Sequence, residues 1–185
     1  MSAKFSVVCL SITLVAFLLF SCAPAYENEC KSAFERPFSA EITLKRPETE
    51  YKASVTLSAT PTLDTGTDDT ALKRDGMVVY TYPDTLSGLS LVRAGDEVRL
   101  NVSGIEIVPS RSIADKYTFV LDLIDIRAES ISGIRQVSLD GTDAYELSFE
   151  HEGERYAACI EKESRIPLFI EGADIKITFD TFVYT

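Results

Sequence analysis

Residues 38–45, FSAEITLK, alternate apolar and polar side chains without interruption. Phe38, Ala40, Ile42 and Leu44 fall on one side of an extended chain, because successive side chains of a strand point to opposite faces. The pattern predicts a strand with one buried face and one polar face. Such strands are typical of an antiparallel sheet that covers a core from one side.

The same period of two recurs along most of the chain. It is present in YKASVTLSA (51–59), MVVYTY (77–82), SLVRAG (90–95), DEVRLNVSG (96–104) and a closing meander that ends at ITFDTFVY (177–184). Turns near Gly141, Gly153 and Gly172 separate the segments of the meander, which indicates successive antiparallel hairpins. Residues 60–76 are rich in Thr and Asp and weakly patterned, and we expect a long turn or loop there.

Two segments have helical periodicity instead. Residues 25–36 place Tyr26, Cys30, Ala33 and Phe34 on one face of a short helix that ends before Pro37. Residues 110–125, SRSIADKYTFVLDLID, predict a second, amphipathic helix, with Ser112 and Asp115 as a capping-box-like pair. Its apolar positions are Ile113, Tyr117, Val120, Leu121 and Ile124. The order of elements predicts the α+β class, with one large antiparallel sheet and helices on its concave face.

The N-terminus predicts export. One lysine in residues 1–4 precedes an apolar run over 5–20, which as a helix would be about 24 Å long, short for a bilayer core of about 30 Å. A secretory leader fits this length better. Leu19-Phe20-Ser21-Cys22 resembles the bacterial lipobox, which implies cleavage before Cys22 and attachment of acyl chains, such as palmitate, to that residue. An ordinary secretory leader or an uncleaved anchor helix are the alternatives.

These observations predict a lipoprotein signal peptide over 1–21, a lipidated tether over 22–25 and a folded domain over 26–185. The expected location is the extracytoplasmic face of the cell membrane, with the lipid on Cys22 as the anchor. The net charge of the chain is -11, which disfavours nucleic acid as a partner because phosphates require a basic face.

The sequence offers little chemistry for catalysis. His151, the single histidine, lies in the acidic stretch EHEGE and is expected to be a solvated loop residue. The motifs CxxC, HExxH and GxxxxGK[ST] do not occur. We therefore expect a protein that is not an enzyme and uses no cofactor or metal.

The order of elements resembles the LolA/LolB-like lipoprotein fold, which carrier proteins of the bacterial envelope share with LppX-type lipoproteins. The resemblance rests on FSAEITLK after a first helix, on VVYTYPD (78–84) and on IPLFIEGADIKITFDTFVY (166–184). It implies a curved antiparallel open β-barrel whose concave face is covered by helices. It also implies a cavity that binds lipid, so that the ligand would be a lipid or another apolar molecule.

The apolar faces of the strands and of the second helix supply the residues expected to line this cavity. They are Ile42, Leu44, Val55, Leu57, Val98, Leu100, Tyr117, Leu121, Tyr145, Leu147, Phe149, Tyr156, Ile160, Ile177 and Phe179. The alternative function keeps the same fold with a filled core. In that case the protein would be a partner or scaffold for an envelope or cell-wall enzyme.

Cys30 and Cys159 remain after the expected processing. Export permits a disulfide between them. Cys159, however, is out of phase with Tyr156, Ala158 and Ile160, which places it on the opposite face of its strand from the core. Two reduced thiols, or an intermolecular bridge, are therefore alternatives to the possible Cys30–Cys159 disulfide.

Overall fold

The computed structural model of the protein describes residues 25–59, 74–95 and 97–185. The predicted leader with Cys22, and residues 60–73 of the predicted loop, lie outside the described residues. The first part contains helix α1 (Ala25–Ala33) and strands β1 (Phe38–Arg46), β2 (Thr49–Leu57), β3 (Gly76–Tyr82), β4 (Ser90–Ala94), β5 (Glu97–Val102) and β6 (Ile105–Ile107). The second part contains helix α2 (Arg111–Ile124), a 3₁₀ turn (Ala128–Ser130) and strands β7 (Ile131–Leu139), β8 (Thr142–His151), β9 (Glu154–Glu161), β10 (Pro167–Glu171) and β11 (Lys176–Tyr184).

The strands form one antiparallel sheet in the order β6-β5-β4-β3-β2-β1-β11-β10-β9-β8-β7. The first and last strands of the chain are neighbours in the middle of the sheet, and β6 and β7 are its two edges. Because the edges do not pair with each other, the barrel is open. The predicted α+β class, an open curved antiparallel barrel with helices, is confirmed.

The alternation in FSAEITLK has the predicted consequence. Phe38, Ala40, Ile42 and Leu44 are all buried in the core. Ile42 lies opposite Phe179 and Leu44 opposite Ile177 in β11, so the apolar faces of β1 and β11 form one surface.

Helix α1 packs as predicted, with Cys30, Ala33 and Phe34 buried. Tyr26 stacks on Tyr145 of β8, with ring centroids 5.1 Å apart. Packing, rather than chemistry, is therefore the role of Cys30 in the described structure.

Helix α2 connects the two edge strands and lies over β3, β4 and β5. Leu121 and Ile124 are fully buried beneath it, as predicted. Two expectations were wrong: the helix begins after Ser110, whose side chain makes no capping hydrogen bond, and Ile113 is 45% exposed. Residues 110–113 are all exposed, so the first turn of α2 is not packed against the sheet. Among the described residues, no helix combines the length and apolar character that a membrane crossing requires.

Candidate functional site

A cleft of about 300 Å³ lies between α2 and the sheet formed by β1, β2 and β3. Its lining residues are Leu44, Arg46, Tyr51, Tyr80, Leu86, Tyr117, Phe119 and Val120. Four of these eight are aromatic, three are aliphatic and one is a cation. We call this opening the aromatic cleft. Its volume is at the lower end of the range of about 300–1,000 Å³ for small-molecule sites.

Tyr51 and Tyr80 form the sheet side of the aromatic cleft. They lie on the neighbouring strands β2 and β3, with ring centroids 6.5 Å apart and an edge-on angle of 75°. Burial raises the pKa of Tyr80 to about 12, and the nearby hydroxyls of Tyr117 and Tyr51 contribute to the rise. Tyr80 is therefore neutral at physiological pH, and its hydroxyl brings no negative charge to this side of the cleft.

Arg46 lies at the rim. Its guanidinium is 5.3 Å from the centre of the Phe119 ring, a cation–π distance. No carboxylate pairs with Arg46 in the described parts of the chain. The aromatic cleft thus combines an apolar interior with a positive charge at its entrance.

His151 lies behind Phe119, not in solvent. Its ring centroid is 6.2 Å from that of Phe119 and 6.4 Å from that of Tyr156. The expected solvated loop histidine is thus a half-buried residue at the end of β8. Its Nε2 atom is buried and has no hydrogen-bond partner among the described residues.

The structure separates the residues that the sequence assigned to one cavity. Leu44 and Tyr117 line the aromatic cleft, and Val98 lines a different cavity. The other twelve pack against one another in the core: Ile42, Val55, Leu57, Leu100, Leu121, Tyr145, Leu147, Phe149, Tyr156, Ile160, Ile177 and Phe179. The concave face is therefore largely filled by its own side chains. Two of the twelve, Leu100 and Tyr156, also border other openings.

Sequence reasoning did not assign Arg46, Tyr51, Tyr80, Leu86, Phe119 or Val120 to the site. Tyr51 and Val120 were on predicted apolar faces, but nothing local distinguished them from core residues. Arg46 and Tyr51 flank the turn between β1 and β2. Aromatic residues next to a turn were the available signal, because side chains at the end of a strand lie near the mouth of an open barrel.

A buried charged cluster fixes the C-terminal end of α2. We call Arg74, Arg93, Asp122 and Asp125 the arginine clamp. Arg93 Nη1 lies 2.5 Å from Asp122 Oδ1, and Arg93 Nη2 lies 3.5 Å from Asp125 Oδ2. Arg93 Nε also donates a hydrogen bond of 2.8 Å to the carbonyl oxygen of Arg74. The clamp ties β4 to the end of α2.

Arg74 extends the clamp to α1 and β2. Its Nε donates to the carbonyl oxygen of Ser58 at 2.6 Å, its Nη2 to that of Arg36 at 2.7 Å, and its Nη1 to that of Phe34. Burial lowers the pKa of Arg74, and the neighbouring Asp125 partly opposes that shift. Residues 74 and 75 lie outside any helix or strand, as predicted, and β3 begins at Gly76, one residue earlier than predicted. Arg74 is buried because four distant segments supply its partners.

The possible Cys30–Cys159 disulfide is not formed: both residues are free and buried. Ala158 and Ile160 belong to the core and Cys159 does not, so its side chain points to the outer side of the sheet, opposite Cys30. Neighbours in β8 and β10, Glu146 and Phe169, lie beside it in register. Burial raises the pKa of Cys30, and it raises that of Cys159 to about 11.

The described residues contain no group of three or more His, Cys, Asp and Glu side chains that could hold a metal ion. No protein-family model matches the chain. A search of curated proteins likewise found no match.

Solved structures do resemble this one. An uncharacterized conserved protein from Thermus thermophilus is 16% identical, with a TM-score of 0.54 and 86% of each chain covered. Lipoprotein LppX from Mycobacterium tuberculosis is 12% identical, with a TM-score of 0.44, 85% of this chain covered and 93% of that chain. The MucA/MucB complex of Pseudomonas aeruginosa contains a chain that is 9% identical, with a TM-score of 0.44 and coverage of 84% and 54%.

At these identities the likeness concerns the fold alone. The Thermus thermophilus protein shares the architecture over most of both chains. The predicted half-barrel architecture is confirmed: one open antiparallel sheet whose edge strands are joined through a helix on the concave face.

Proposed function

We propose that the protein is a membrane-anchored lipoprotein that binds one apolar chain or ring in the aromatic cleft. The observation that carries this proposal is the composition of that cleft, in which seven of eight lining residues are aromatic or aliphatic. An open apolar surface of this kind is typical of sites that take an apolar ligand. The ligand class is a lipid or another molecule with a hydrocarbon part.

The packing around the aromatic cleft supports a small ligand. Leu57 and Leu121 are fully buried, so the core beside the cleft has no room for further chains. A single acyl chain fits a volume of about 300 Å³ better than a lipid with several chains. Arg46 at the rim favours an anionic head group on that chain, because charge-assisted hydrogen bonds to a guanidinium are strong.

A single introduced tryptophan tests ligand binding. The chain has no tryptophan, so Phe119→Trp places a unique fluorophore in the aromatic cleft. Titration of the delipidated protein with dodecanoate is expected to shift its emission to shorter wavelength with saturation. Phe169→Trp, on β10 beside Lys176 and away from the cleft, is the matched control and is expected not to respond. Equal responses of both variants would contradict the proposal.

A variant of Arg46 tests whether the ligand carries a negative charge. Arg46→Gln is expected to weaken dodecanoate binding about fivefold and to leave dodecanol binding unchanged, because only the acid can pair with the guanidinium. Native mass spectrometry of protein extracted from cells should show a bound apolar ligand. Its absence, together with a silent Phe119→Trp variant, would exclude this function.

The membrane anchor is the second part of the proposal. Its support is the apolar run over 5–20 and the small residue Ser21 before Cys22. Cys22→Ser expressed in a bacterium is expected to lose incorporation of labelled palmitate and to leave the detergent phase in Triton X-114 partition. Cys9→Ser, within the predicted leader, is the matched control and should keep both properties. Labelling that persists in Cys22→Ser would refute the anchor.

A partner or scaffold function is the alternative, and the edge strand β6 favours it. Val102, Ile105, Ile107 and Val108 are all exposed along this edge. Exposed apolar side chains beside an unpaired strand suit an extended segment of an envelope or cell-wall enzyme. Ile105→Lys should then release an envelope protein that the wild type retains in a pull-down, whereas Val183→Lys on β11 should not. A pull-down that retains no envelope protein counts against this alternative.

A further inference from the structure

The aromatic cleft carries hydroxyl groups as well as apolar surface. Tyr51, Tyr80 and Tyr117 line it from β2, β3 and α2. Among the lining residues, their hydroxyls are the only polar side-chain groups besides the guanidinium of Arg46. The cleft therefore offers uncharged hydrogen-bonding groups in its walls and one cation at its rim.

Tyr80 is the most buried of these tyrosines. It is 8% exposed, whereas Tyr51 and Tyr117 are half-buried. The Tyr80 hydroxyl forms no hydrogen bond with any residue of the ranges 25–59, 74–95 and 97–185. A buried hydroxyl without a partner is unfavourable. A ligand that supplies a hydrogen-bonding group at this point therefore gains affinity over a ligand that does not.

The Tyr80 hydroxyl is an uncharged donor and acceptor. Burial raises its pKa to about 12, and the hydroxyls of Tyr117 and Tyr51 contribute to the rise. A phenol that keeps its proton can donate one hydrogen bond and accept another. It therefore suits a neutral oxygen, such as a hydroxyl or carbonyl group. A carboxylate at this buried position would lack a cation, because the cleft's lining has its guanidinium at the rim.

Tyr80 and Arg46 lie at different depths of the aromatic cleft. Tyr80 is opposite Ala53, which in turn is opposite Ile42 in β1. Ile42 precedes Arg46 by four residues, which corresponds to about 13 Å of extended strand. That separation is comparable to the length of an extended twelve-carbon chain. A carboxylate paired with Arg46 and an oxygen at Tyr80 therefore fit one molecule if the oxygen is at the far end of its chain.

We infer that the aromatic cleft selects a fatty acid whose chain carries a neutral oxygen at the end remote from the carboxylate. In this complex the carboxylate pairs with Arg46, and the hydrocarbon lies against Leu44 and Phe119. The Tyr80 hydroxyl forms a hydrogen bond with the remote oxygen. The inference rests on the proposed function and specifies its ligand class. Arg46 sets which end of the molecule lies at the rim, and Tyr80 sets which chain is preferred.

Two isomeric probes test this preference. They are 12-hydroxydodecanoate and 2-hydroxydodecanoate, which have the same composition and charge and differ in the position of the hydroxyl. Isothermal titration calorimetry of the delipidated protein is expected to show about fivefold tighter binding of the 12-hydroxy isomer, the effect of one net hydrogen bond. Dodecanoate, titrated in the same way, reports whether the cleft takes a fatty acid at all.

Two variants with the same chemical change locate the effect. Tyr80→Phe is expected to bind both isomers with equal affinity and to keep its affinity for dodecanoate, because it loses only the hydroxyl. Tyr82→Phe is the matched control, since Tyr82 is 47% exposed on the same strand and does not line the cleft. It is expected to keep the preference for the 12-hydroxy isomer. Retained dodecanoate binding shows that the cleft is intact in each variant.

Three results would overturn the inference. They are equal affinity of the wild type for the two isomers, a preference that persists in Tyr80→Phe, and loss of the preference in Tyr82→Phe as well. Any of these results together with binding of dodecanoate would leave the proposed function standing. If none of the three acids binds, the proposed function and this inference both fail.

Discussion

The two ends of α2 are held in opposite ways. At the C-terminal end, Asp122 and Asp125 are bound by buried guanidinium groups of the arginine clamp. At the N-terminal end, Ser110 makes no side-chain cap and Ile113 is exposed. Buried ions require partners at fixed positions, whereas an exposed helix end can rely on water. The helix is therefore anchored at its C-terminal end, and the aromatic cleft lies beside residues 117–120, between the two ends.

The anchored end holds α2 over β3, β4 and β5 and so keeps one wall of the aromatic cleft in position. The predictions below test the contrast between the two ends, starting with the end that is expected to matter most for stability.

Loss of Arg93 is expected to have the largest effect. Arg93→Met removes the closest cation of Asp122, while Asp125 keeps Arg74 and Arg127. Loss of one partner of a buried ion pair should lower the free energy of unfolding by about 3–5 kcal/mol. Arg99→Met is the control, since the Arg99 side chain is half exposed and paired with exposed glutamates, and it should cost less than about 1 kcal/mol. Urea denaturation of both variants measures the difference. Equal losses of unfolding free energy in the two variants would show that the arginine clamp does not stabilise the C-terminal end of α2 more than an exposed ion pair would.

The apolar side of α2 gives the next largest contrast. Leu121→Ala removes a fully buried side chain and is expected to lower the free energy of unfolding by about 3 kcal/mol through loss of burial and formation of a cavity. Ile113→Ala, in the first turn, is expected to change it by less than about 0.5 kcal/mol. Thermal or urea unfolding of both variants measures the difference. A large loss from Ile113→Ala would mean that the first turn is packed in solution.

Tyr80 lies on β3 and lines the aromatic cleft together with Tyr117 and Val120 from the middle of α2. Burial raises its pKa from 10.0 to about 12, so the folded protein holds this proton more tightly than the unfolded chain. The resulting stability is complete below pH 10 and is lost as the pH rises towards 12. By about pH 11.5 the wild type should lose about 2 kcal/mol relative to Tyr80→Phe. Parallel pH profiles for the two proteins would mean that the hydroxyl is not buried.

The smallest expected effect is at the N-terminal end. Ser110→Asp places a carboxylate at the uncapped helix start and should raise the free energy of unfolding by about 0.3–1 kcal/mol at low salt. Ser110→Ala is the control and should be neutral, because the serine hydroxyl makes no capping bond. Guanidinium is ionic and screens this effect, so urea is the suitable denaturant. A clear loss from Ser110→Ala would show that a cap forms in solution.

The sequence predicted the class of the sheet and most of its strands because a period of two is a local property. It also predicted that Cys30 and Ala33 lie on the inner face of α1, since helical spacing is local too. It assigned too many residues to a cavity, because apolar side chains such as Leu147 and Ile177 have the same pattern whether they line a space or fill it.

What the sequence determined by itself is therefore one large antiparallel sheet, the two helices and, for strands such as β1, the side that faces the core. Only the tertiary structure decided where space remains and which charges are buried. The sequence around Arg74 is polar and typical of a loop. Arg74 is nevertheless buried, because it binds Phe34, Arg36 and Asp125, which are up to 51 positions away in the chain. The aromatic cleft likewise exists because β1, β2, β3 and α2 come together there. A local sequence pattern cannot predict which distant elements come together.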